Sequence, residues 1–417
     1  MLSQQFKKSI LSLKRIGRTA KRFELFLNLT YKCPLRCTYC YVDYERAPSM
    51  TQEHVDFIME EMIAKPNNND IKLVTFFGGE PALEMDIIEN TVKKWYNHPK
   101  FKNIHFGVIT GFSVHQDRLL NLQREYPLLE IAISFDVDMR DRPFLNNKPF
   151  NLLNQIKKKY DIDLESMSKN NNNIFFNKIV TGQENDLYGD LEWLHNNYKK
   201  YGIFYSISFN KTPKFLFPLD GVVTDSWYRY LKLCVLPYIR SEKNAFMPQL
   251  LLQYFRRWWE KEIDVAVSGC GLASEYFIDS NGTISPCSIS HHKTDLMLAH
   301  EGKFLDNLEH FQTLESSYWD NPTCQSCKYK GFCPGGCMVF RHMENGDYNK
   351  PNIGQCMLME EVYNAYDRFL SELSENELQT LKNLVFSDLS KYYEYCHDNS
   401  THIDLHDIFK HERVEEI

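Results

Sequence analysis

The stretch Asn28-Leu-Thr-Tyr-Lys-Cys33-Pro-Leu-Arg-Cys37-Thr-Tyr-Cys40-Tyr41 places three cysteines on one short segment with the spacing C-x3-C-x2-C. It continues an apolar run, residues 24–29, that predicts a β-strand. Three thiolates on one loop can hold three irons of a cubane iron–sulfur cluster, which leaves the fourth iron open to chelate a small molecule. Zinc instead prefers four ligands in tetrahedral geometry, and no histidine lies close to these cysteines.

A second motif, Gly78-Gly79-Glu80-Pro81, lies at the end of another apolar run downstream of the cysteines. An isolated C-x-x-C pair would indicate a zinc site or a redox pair, but the triplet and this motif together resemble the radical S-adenosylmethionine (SAM) enzymes. In that family the open iron of a [4Fe-4S] cluster binds the amino and carboxylate groups of SAM. An electron from the cluster then cleaves SAM to a 5′-deoxyadenosyl radical. The resemblance implies SAM as cofactor, Cys33, Cys37 and Cys40 as the ligands of the catalytic cluster, and flavodoxin or ferredoxin as electron donor.

The composition is that of an ordinary soluble globular protein, because 43% of the 417 residues are hydrophobic and 25% are charged. At ~150 residues per domain, this length predicts two to three domains. A net charge of −7 gives no basic excess for binding nucleic acid. No apolar run is long enough to span a membrane, and the amino terminus lacks the pattern of a secretory signal. Twelve cysteines in such a chain favour cluster ligation in a reducing, cytoplasmic setting over disulfides.

Strand-like apolar runs alternate with amphipathic helical patterns between residues 23 and 210. This alternation predicts a parallel sheet with right-handed crossovers. Six such units fit the partial (β/α)6 TIM-like barrel of the radical SAM enzymes, so the predicted fold class is α/β. Strands are predicted at residues 24–30, 71–77, 104–110, 130–136, 174–180 and 203–209, and helices at 51–64, 87–96, 116–126, 152–159 and 186–201.

The predicted organisation has five parts: a basic amino-terminal helix (1–22), the barrel (23–210), a helical linker (211–267), a small cysteine-rich domain (268–356) and a helical carboxy-terminal tail (357–417). The basic helix could hold an acidic peptide or close the barrel mouth, but a solvated helix that caps the domain is the favoured interpretation. In the linker, the aromatic stretch 254–259 is predicted to pack in a core or between domains rather than to form a binding surface. In the tail, Ser374-Glu-Asn-Glu377 is a capping pattern.

A second group of cysteines follows the barrel. Cys270 is followed by Gly282 and Cys287, then by Cys324-x2-Cys327-x5-Cys333-x3-Cys337, and finally by Cys356. Zinc ribbons also use a pair such as Cys324-x-x-Cys327, but all seven in register resemble the SPASM extension of many peptide-modifying radical SAM enzymes. The resemblance implies two auxiliary iron–sulfur clusters, expected to be [4Fe-4S]. It assigns Cys324, Cys327, Cys333 and Cys356 to the outer cluster, and Cys270, Cys287 and Cys337 to the inner one.

The resemblance thus assigns four cysteine ligands to the outer cluster and only three to the inner cluster. Some relatives have an eighth cysteine shortly before the position of Cys270, where residues 263–265 supply none here. The inner cluster is therefore expected to have an open iron or to take a non-cysteine or distant ligand. An open iron could bind a substrate thiolate or serve as an electron port. The remaining cysteines, Cys234 and Cys396, are interpreted as small buried hydrophobes.

Functional residues of parallel α/β barrels gather at the carboxyl ends of the strands, and several motif residues fall there. The resemblance implies that Tyr39 packs near the SAM adenine. Gly78 and Gly79 lack Cβ atoms and allow close approach of the backbone to a ligand. By resemblance, the segment 78–81, which ends at Pro81, hydrogen-bonds the SAM amino group with support from Glu80.

Two further strand ends carry polar residues. Thr110 and Gly111 end the third predicted strand, and Ser134 and Asp136 lie on the fourth with one residue between them. Alternation along a strand places Ser134 and Asp136 on the same face, so both can point into the barrel. Relatives use this Ser-x-Asp stretch to contact the SAM ribose or carboxylate. The alternative is that Ser134 and Asp136 only fill the polar interior of the barrel and do not contact SAM.

The predicted function is modification of a residue in a ribosomally synthesised peptide, by a thioether or carbon–carbon crosslink or by epimerisation. The adenosyl radical takes a hydrogen atom from the substrate, and the auxiliary clusters relay electrons or bind substrate. Residues 1–22 are too few for the winged-helix domain with which many such enzymes bind a leader peptide. A separate peptide-recognition protein or direct binding is therefore expected.

Two alternatives stay open. Anaerobic sulfatase maturases oxidise Cys or Ser to formylglycine, and they carry an Asp directly after the cysteine equivalent to Cys287. This chain has Ser288 there, which makes a maturase the less favoured enzyme. The alternative of another class is a non-enzymatic module whose carboxy-terminal cysteines bind zinc.

Overall fold

In the computed structural model of the chain, four neighbouring parallel strands follow one another in sequence and in space. Apolar side chains on both faces of these strands are buried, as expected for a parallel sheet with covered faces. Leu25, Val74 and Phe106 are among them, and the rings of Phe76 and Phe106 stack at 6.0 Å. The strands are β1 (Phe23–Thr30), β2 (Ile71–Gly78), β3 (His105–Thr110) and β4 (Glu130–Ser134).

The structure describes residues 2–12, 23–42, 48–63, 71–99, 104–134, 136, 173–182, 184, 186–201, 204–209, 221–243, 245–260, 275–290, 297–300, 303–305, 322–333 and 335–398. The chain divides into two units. The first comprises Met1–Ser134, Met139–Leu152 and Gly271–Glu315, and the second comprises Phe135–Asp138, Leu153–Cys270 and Ser316–Ile417. No helix within these described ranges is long and apolar enough to cross a membrane.

A strand from late in the chain extends the sheet of the first unit. β7 (Glu275–Ile278) pairs in parallel with β1. Three short antiparallel strands follow, namely β8 (Ile284–Ser285), β9 (Ala299–His300) and β10 (Lys303–Phe304). The strand order in this unit is therefore β10-β9-β8-β7-β1-β2-β3-β4.

The helices of the first unit connect and cover these strands. On α1, the side chains of Phe6 and Ile10 are buried, so this helix packs through an apolar face. Thr51 forms a capping box with His54 at the start of α2. The helices are α1 (Gln4–Ser12), α2 (Gln52–Ile58) with a π-helical continuation (Met59–Ile63), α3 (Met85–Trp95) after a 3-10 turn (Pro81–Glu84), and α4 (Gln116–Glu125).

The second unit contains two parallel strands, β5 (Ile174–Val180) and β6 (Phe204–Phe209), and several helices. Tyr254 and Phe255 are buried, and the Phe255 ring lies 4.7 Å from that of Tyr366, which confirms the predicted core role for this part of the aromatic stretch. The helices are α5 (Leu187–Tyr201), α6 (Val222–Ile239), α7 (Gln249–Glu260), α8 (Pro322–Gln325), α9 (Met338–Asn345), α10 (Ile353–Ser371) and α11 (Glu375–Asp398).

The predicted elements agree with the structure to within a few residues, with one difference of consequence. The fourth strand ends at Ser134, so Asp136 lies beyond it and strand alternation does not reach that residue. The capping box of Ser374 and Glu377 is confirmed, because each backbone N–H donates to the other side chain. Cys234 is buried, as predicted. The predicted helix 152–159 lies outside the described residues.

A buried lysine in β5 organises the polar interior of the second unit. Lys178 lies on the same strand face as Ile174, Phe176 and Val180. Its ammonium lies 2.6 Å from Asp136 Oδ1, 2.8 Å from Asp190 Oδ2 and 3.4 Å from Glu184 Oε1, and all four side chains are at most 5% exposed.

The charged groups around Lys178 shift one another's pKa values. Burial alone would lower the pKa of Lys178, but the three carboxylates raise it above its usual value. Burial raises the pKa of Asp190 to about 6, although Lys178 opposes the shift. Among the residues that the structure describes, Lys178 thus compensates three buried carboxylates, and we expect the fold to depend on it.

We expect Lys178→Met to lower the free energy of unfolding by about 3–5 kcal/mol, because removing one partner leaves uncompensated charges buried. Urea denaturation at neutral pH measures the loss. The control is Lys94→Met, because Lys94 is 46% exposed and pairs with Asp56 and Glu60 at the surface. That variant should lose less than ~1 kcal/mol. Equal losses in the two variants would contradict the structural role assigned to Lys178.

The Lys178→Met variant should also recover stability as the pH falls from about 7 to about 5. Without the cation, burial raises the pKa of Asp190 further above its value in the unfolded chain, because Lys178 no longer opposes the shift. The folded state then binds more protons than the unfolded state, so stability is present at low pH and is lost as the pH rises. Denaturation curves across this range check the slope, which should be steeper than that of the wild type.

Candidate functional site

The cysteine loop begins directly after β1 in the first unit. The backbone N–H of Leu35 donates to Cys33 Sγ at 3.4 Å, and the N–H of Cys40 donates to the Cys37 carbonyl at 3.1 Å. None of the three cysteines is in a disulfide, and all three are partly exposed. Burial raises the pKa of Cys33 to about 12, the Leu35 N–H opposes this, and nearby Glu80, Cys37 and Cys40 add to it. The three predicted ligands therefore lie close enough to affect one another.

The glycine motif holds the start of this loop by close backbone contact. The Gly79 N–H donates to the Thr30 carbonyl at 2.7 Å, and the Glu80 N–H donates to the Lys32 carbonyl at 2.9 Å. A Cβ on Gly79 would lie 2.5 Å from the carbonyl oxygen of Lys32, and one on Gly78 would clash with that of Thr30. Gly78 also has φ +137°, which L side chains rarely adopt. The glycines are therefore required by the backbone of the cysteine loop.

The carboxylate of Glu80 joins this segment to the end of β3. Glu80 is fully buried, and it accepts hydrogen bonds from the Thr110 hydroxyl at 2.6 Å, the Gly111 N–H at 3.0 Å and the Ser113 hydroxyl at 3.0 Å. Burial raises its pKa, while these donors lower it. Glu80 and Thr110 thus act together, and the carboxylate holds the strand ends in place.

Tyr31, the first residue after β1, is held by a side chain from late in the sequence. Its hydroxyl donates to Asp279 Oδ1 at 2.6 Å, and the Asn28 amide donates to both groups. All three side chains are buried. Asp279 directly follows β7, so this contact completes the support of the cysteine loop. Sequence analysis missed it, because the partners are 248 to 251 residues apart.

A second contact joins the cysteine loop to the turn that carries Cys287. The Tyr41 hydroxyl donates to Ser288 Oγ at 2.7 Å. Burial raises the pKa of Tyr41, and Cys40 and Cys287 both add to the shift. The Ser290 N–H donates to Cys287 Sγ at 3.3 Å. Ser288 is the residue that departs from the maturase pattern. Its hydroxyl therefore accepts a hydrogen bond from a residue of the cysteine loop.

The other residues predicted to contact SAM fall in two places. In the first unit, Tyr39 and Pro81 are buried, and Ser134 ends β4 with its side chain partly exposed. Asp136 belongs to the second unit and binds Lys178. The expectation that Ser134 and Asp136 share one strand face is not met, because the strand has ended before Asp136.

Four carboxy-terminal cysteines come together in the second unit. Burial raises the pKa of Cys333 to about 12, and Cys356, Cys324 and Cys327 add to the shift. Burial also raises the pKa of Cys356 to about 11, and Arg341 opposes it. The Gly335 N–H donates to Cys333 Sγ at 3.3 Å. These are the four cysteines that the family resemblance assigned to the outer cluster.

The residues predicted for the inner cluster are described only in part. Cys287 lies in the first unit, and Cys337 lies in the second, where it is buried at the start of α9. Cys270 lies outside the described residues. Their assignment to one cluster stays a prediction.

The donor set fits iron–sulfur clusters. Ten described cysteines are in no disulfide, and among the described residues no three His, Cys, Asp or Glu side chains are gathered closely enough for a single metal ion. A cluster is larger than one ion, since its thiolates bind different irons. Cys33, Cys287 and Cys333 each accept a backbone N–H from a residue two or three positions on. Such hydrogen bonds stabilise thiolate ligands.

Comparison with known proteins agrees with this geometry. The chain is 23% identical over 378 residues to the radical SAM cyclopropyl synthase TigE of Paramaledivibacter caminithermalis, and the match covers 86% of this chain and 76% of TigE. Among solved structures, it resembles anSMEcpe with bound AdoMet and the Cp18Cys peptide, with a TM-score of 0.61 and 17% identity over 84% of this chain and 98% of that one.

The chain also resembles Streptococcus suis SuiB bound to its precursor peptide SuiA, with a TM-score of 0.56 and 19% identity over 84% of this chain and 79% of SuiB. Both likenesses confirm the predicted α/β fold with a partial TIM-like barrel and a helical carboxy-terminal region. Residues 27–163, which include the cysteine triplet and the glycine motif, match the model of the Radical SAM superfamily. Residues 27–163 therefore form a radical SAM domain, as the cysteine triplet predicted.

Proposed function

We propose that this radical SAM enzyme modifies a residue of a ribosomally synthesised peptide and passes the electron released by that reaction to auxiliary iron–sulfur clusters. The observation that carries the proposal is the second thiol group, Cys324, Cys327, Cys333 and Cys356, whose members act on one another electrostatically. When bound, the catalytic cluster and SAM supply a 5′-deoxyadenosyl radical that removes a hydrogen atom from the substrate.

In this proposal, residues of the first unit hold the reacting groups. Cys33, Cys37 and Cys40 ligate the catalytic cluster. Tyr39 packs near the adenine of SAM, and the segment 78–81 meets its amino group. Ser134 contacts its ribose or carboxylate, and Thr110 and Glu80 fix the backbone that does so. Buried, fully hydrogen-bonded supports of this kind keep a site in one geometry.

Asp136 has a more specific role in the proposal. Its carboxylate contacts SAM while Lys178 Nζ, 2.6 Å away, holds it in place. Since Lys178 also binds Asp190 and Glu184, the position of Asp136 depends on the whole buried cluster.

The auxiliary clusters are proposed because the reaction has to dispose of an electron. Closing a crosslink between two X–H bonds removes one hydrogen atom, one proton and one electron from the peptide. The four outer thiols hold one acceptor for that electron. Cys270, Cys287 and Cys337 hold the inner cluster, and Cys287 lies in the turn joined to the catalytic loop through Tyr41 and Ser288.

The relatives favour a peptide substrate, and the name of TigE favours formation of a new bond over formylglycine formation. TigE is named a cyclopropyl synthase, and SuiB and anSMEcpe have been solved with bound peptides. A cyclopropyl ring is closed by a carbon–carbon bond, so this bond type is favoured over a thioether crosslink or epimerisation. Ser288 supplies no carboxylate base, and Tyr41 occupies its hydroxyl. We further propose a separate peptide-recognition protein, a flavodoxin or ferredoxin as electron donor, and a cytoplasmic setting.

The proposal is tested by incubating the anaerobically reconstituted enzyme with SAM, reductant and peptides encoded beside it. Mass spectrometry should find a product that has lost two hydrogens, together with 5′-deoxyadenosine. A peptide with the sulfatase motif Cys-x-Pro-x-Arg is the comparison, and it should gain no aldehyde. Formylglycine in that peptide, and no change in the neighbouring peptides, would establish a maturase instead.

The two thiol groups should have separable functions. We expect Cys37→Ala to lose SAM cleavage, because the catalytic cluster loses one of its three ligands. Cys327→Ala should still cleave SAM to 5′-deoxyadenosine but yield no modified peptide, because the acceptor of the electron is lost. Chromatography of both products measures the two activities.

The control is Cys234→Ser, since this buried thiol lies outside both groups. It should keep both activities. SAM cleavage that survives in Cys37→Ala would refute the assignment of the triplet.

Glu80→Gln tests the support of the SAM segment. One carboxylate oxygen becomes an NH2 that faces donors from Thr110, Gly111 and Ser113, so at least one hydrogen bond is lost at a buried site. Such a loss costs about 1–3 kcal/mol, and we expect the Kd for SAM to rise about tenfold or more. Equilibrium binding of SAM measures it. Glu84→Gln on the adjacent 3-10 turn is the matched control and should leave the Kd unchanged.

A further inference from the structure

Arg341 is a buried cation beside the thiols proposed to hold the outer cluster. It lies on α9 with its side chain 1% exposed. Its Nη2 donates to Cys324 Sγ at 3.6 Å and to the Gly335 carbonyl oxygen at 2.5 Å. A guanidinium stays protonated in proteins, and a buried charge is costly unless it is compensated. The position therefore favours negative charge on the neighbouring sulfurs.

The same side chain is connected to one further cysteine through the backbone of Gly335. Gly335, whose carbonyl accepts from Arg341, donates its own N–H to Cys333 Sγ at 3.3 Å. The main-chain N–H of Arg341 donates to the carbonyl of Cys337, the N-cap of α9, at 3.0 Å. The guanidinium of Arg341 is thus linked to two ligands proposed for the outer cluster.

We propose that Arg341 raises the reduction potential of the cluster held by Cys324, Cys327, Cys333 and Cys356, and so makes that cluster the acceptor of the electron that leaves the peptide. The inference rests on the proposed function, which places the cluster at these thiols.

Reduction of this cluster adds one electron and moves no proton, so the cluster gains one negative charge. A fixed positive charge nearby stabilises the reduced state more than the oxidised state. Net charge and hydrogen bonds to the sulfurs are among the factors that set the potentials of iron–sulfur clusters. Arg341 supplies both, because its Nη2 is a charged donor directed at a ligand sulfur.

The test is a potentiometric titration of the full-length, anaerobically reconstituted protein, followed by EPR spectroscopy. The outer cluster is identified as the signal that disappears in Cys327→Ala. In Arg341→Met, which removes the charge, the midpoint should become more negative at unchanged iron content. At the wild-type midpoint, the ratio of reduced to oxidised cluster should fall about tenfold, which corresponds to ~59 mV for one electron. Arg341→Lys keeps the positive charge but loses the planar guanidinium with its several N–H donors. The midpoint potential should therefore shift less than in Arg341→Met.

The matched control is Arg256→Met on α7, because Arg256 is partly exposed and pairs with Glu260 at 2.9 Å. Its midpoint should equal that of the wild type. Equal midpoints in the wild type and both Arg341 variants would overturn the inference. If Arg341→Met retains too little iron to titrate, Arg341→Gln, which also removes the charge, decides, and an unshifted midpoint there overturns the inference. A wild-type protein that binds only the cluster of the triplet would overturn the proposed function, and this inference with it.

Discussion

The conformation of the cysteine loop depends on close contact between two segments of backbone, 30–32 and 78–80. Gly78 and Gly79 allow the chain after β2 to lie against Thr30–Lys32, where any side chain would collide with carbonyl oxygens. Two backbone hydrogen bonds then fix the first residues of the cysteine loop. Glu80 continues this order to the end of β3 through Thr110 and Gly111. Three successive strand ends are thereby locked together, which is what a site built from separate loops requires.

Buried charge is a recurring element of this protein, and each instance is compensated differently. Glu80 is satisfied by neutral hydroxyl and N–H donors, so its stabilisation comes from hydrogen bonds. Lys178 is surrounded by three carboxylates and compensates them. Arg341 lies against a sulfur and a carbonyl oxygen. Since an uncompensated interior charge is costly, these three places constrain both the fold and its chemistry.

Local sequence patterns predicted the elements of the fold well, and they placed Cys33, Cys37 and Cys40 on one loop after β1. The spacing of the triplet and the alternation of apolar residues are properties of a few neighbouring residues, and both were readable directly. The same kind of pattern could have identified Lys178, because in the run Ile174–Val180 it falls on the apolar face with Phe176. Its partners could not be found in this way, since Asp136 lies 42 residues earlier. The links of Tyr31 to Asp279 and of Tyr41 to Ser288 span even longer separations, and periodicity carries no information about such contacts.

The strand β7 has a consequence for how the protein is made. It comes from residues 275–278, far beyond the family segment 27–163, yet it pairs with β1 and leads into the aspartate that holds Tyr31. During synthesis, a nascent chain that ends before this point leaves one edge of β1 without its hydrogen-bonding neighbour. The cysteine loop therefore acquires its final shape only after most of the polypeptide has left the ribosome. A protein cut back to residues 27–163 would lack both the neighbour of β1 and the carboxylate that holds Tyr31.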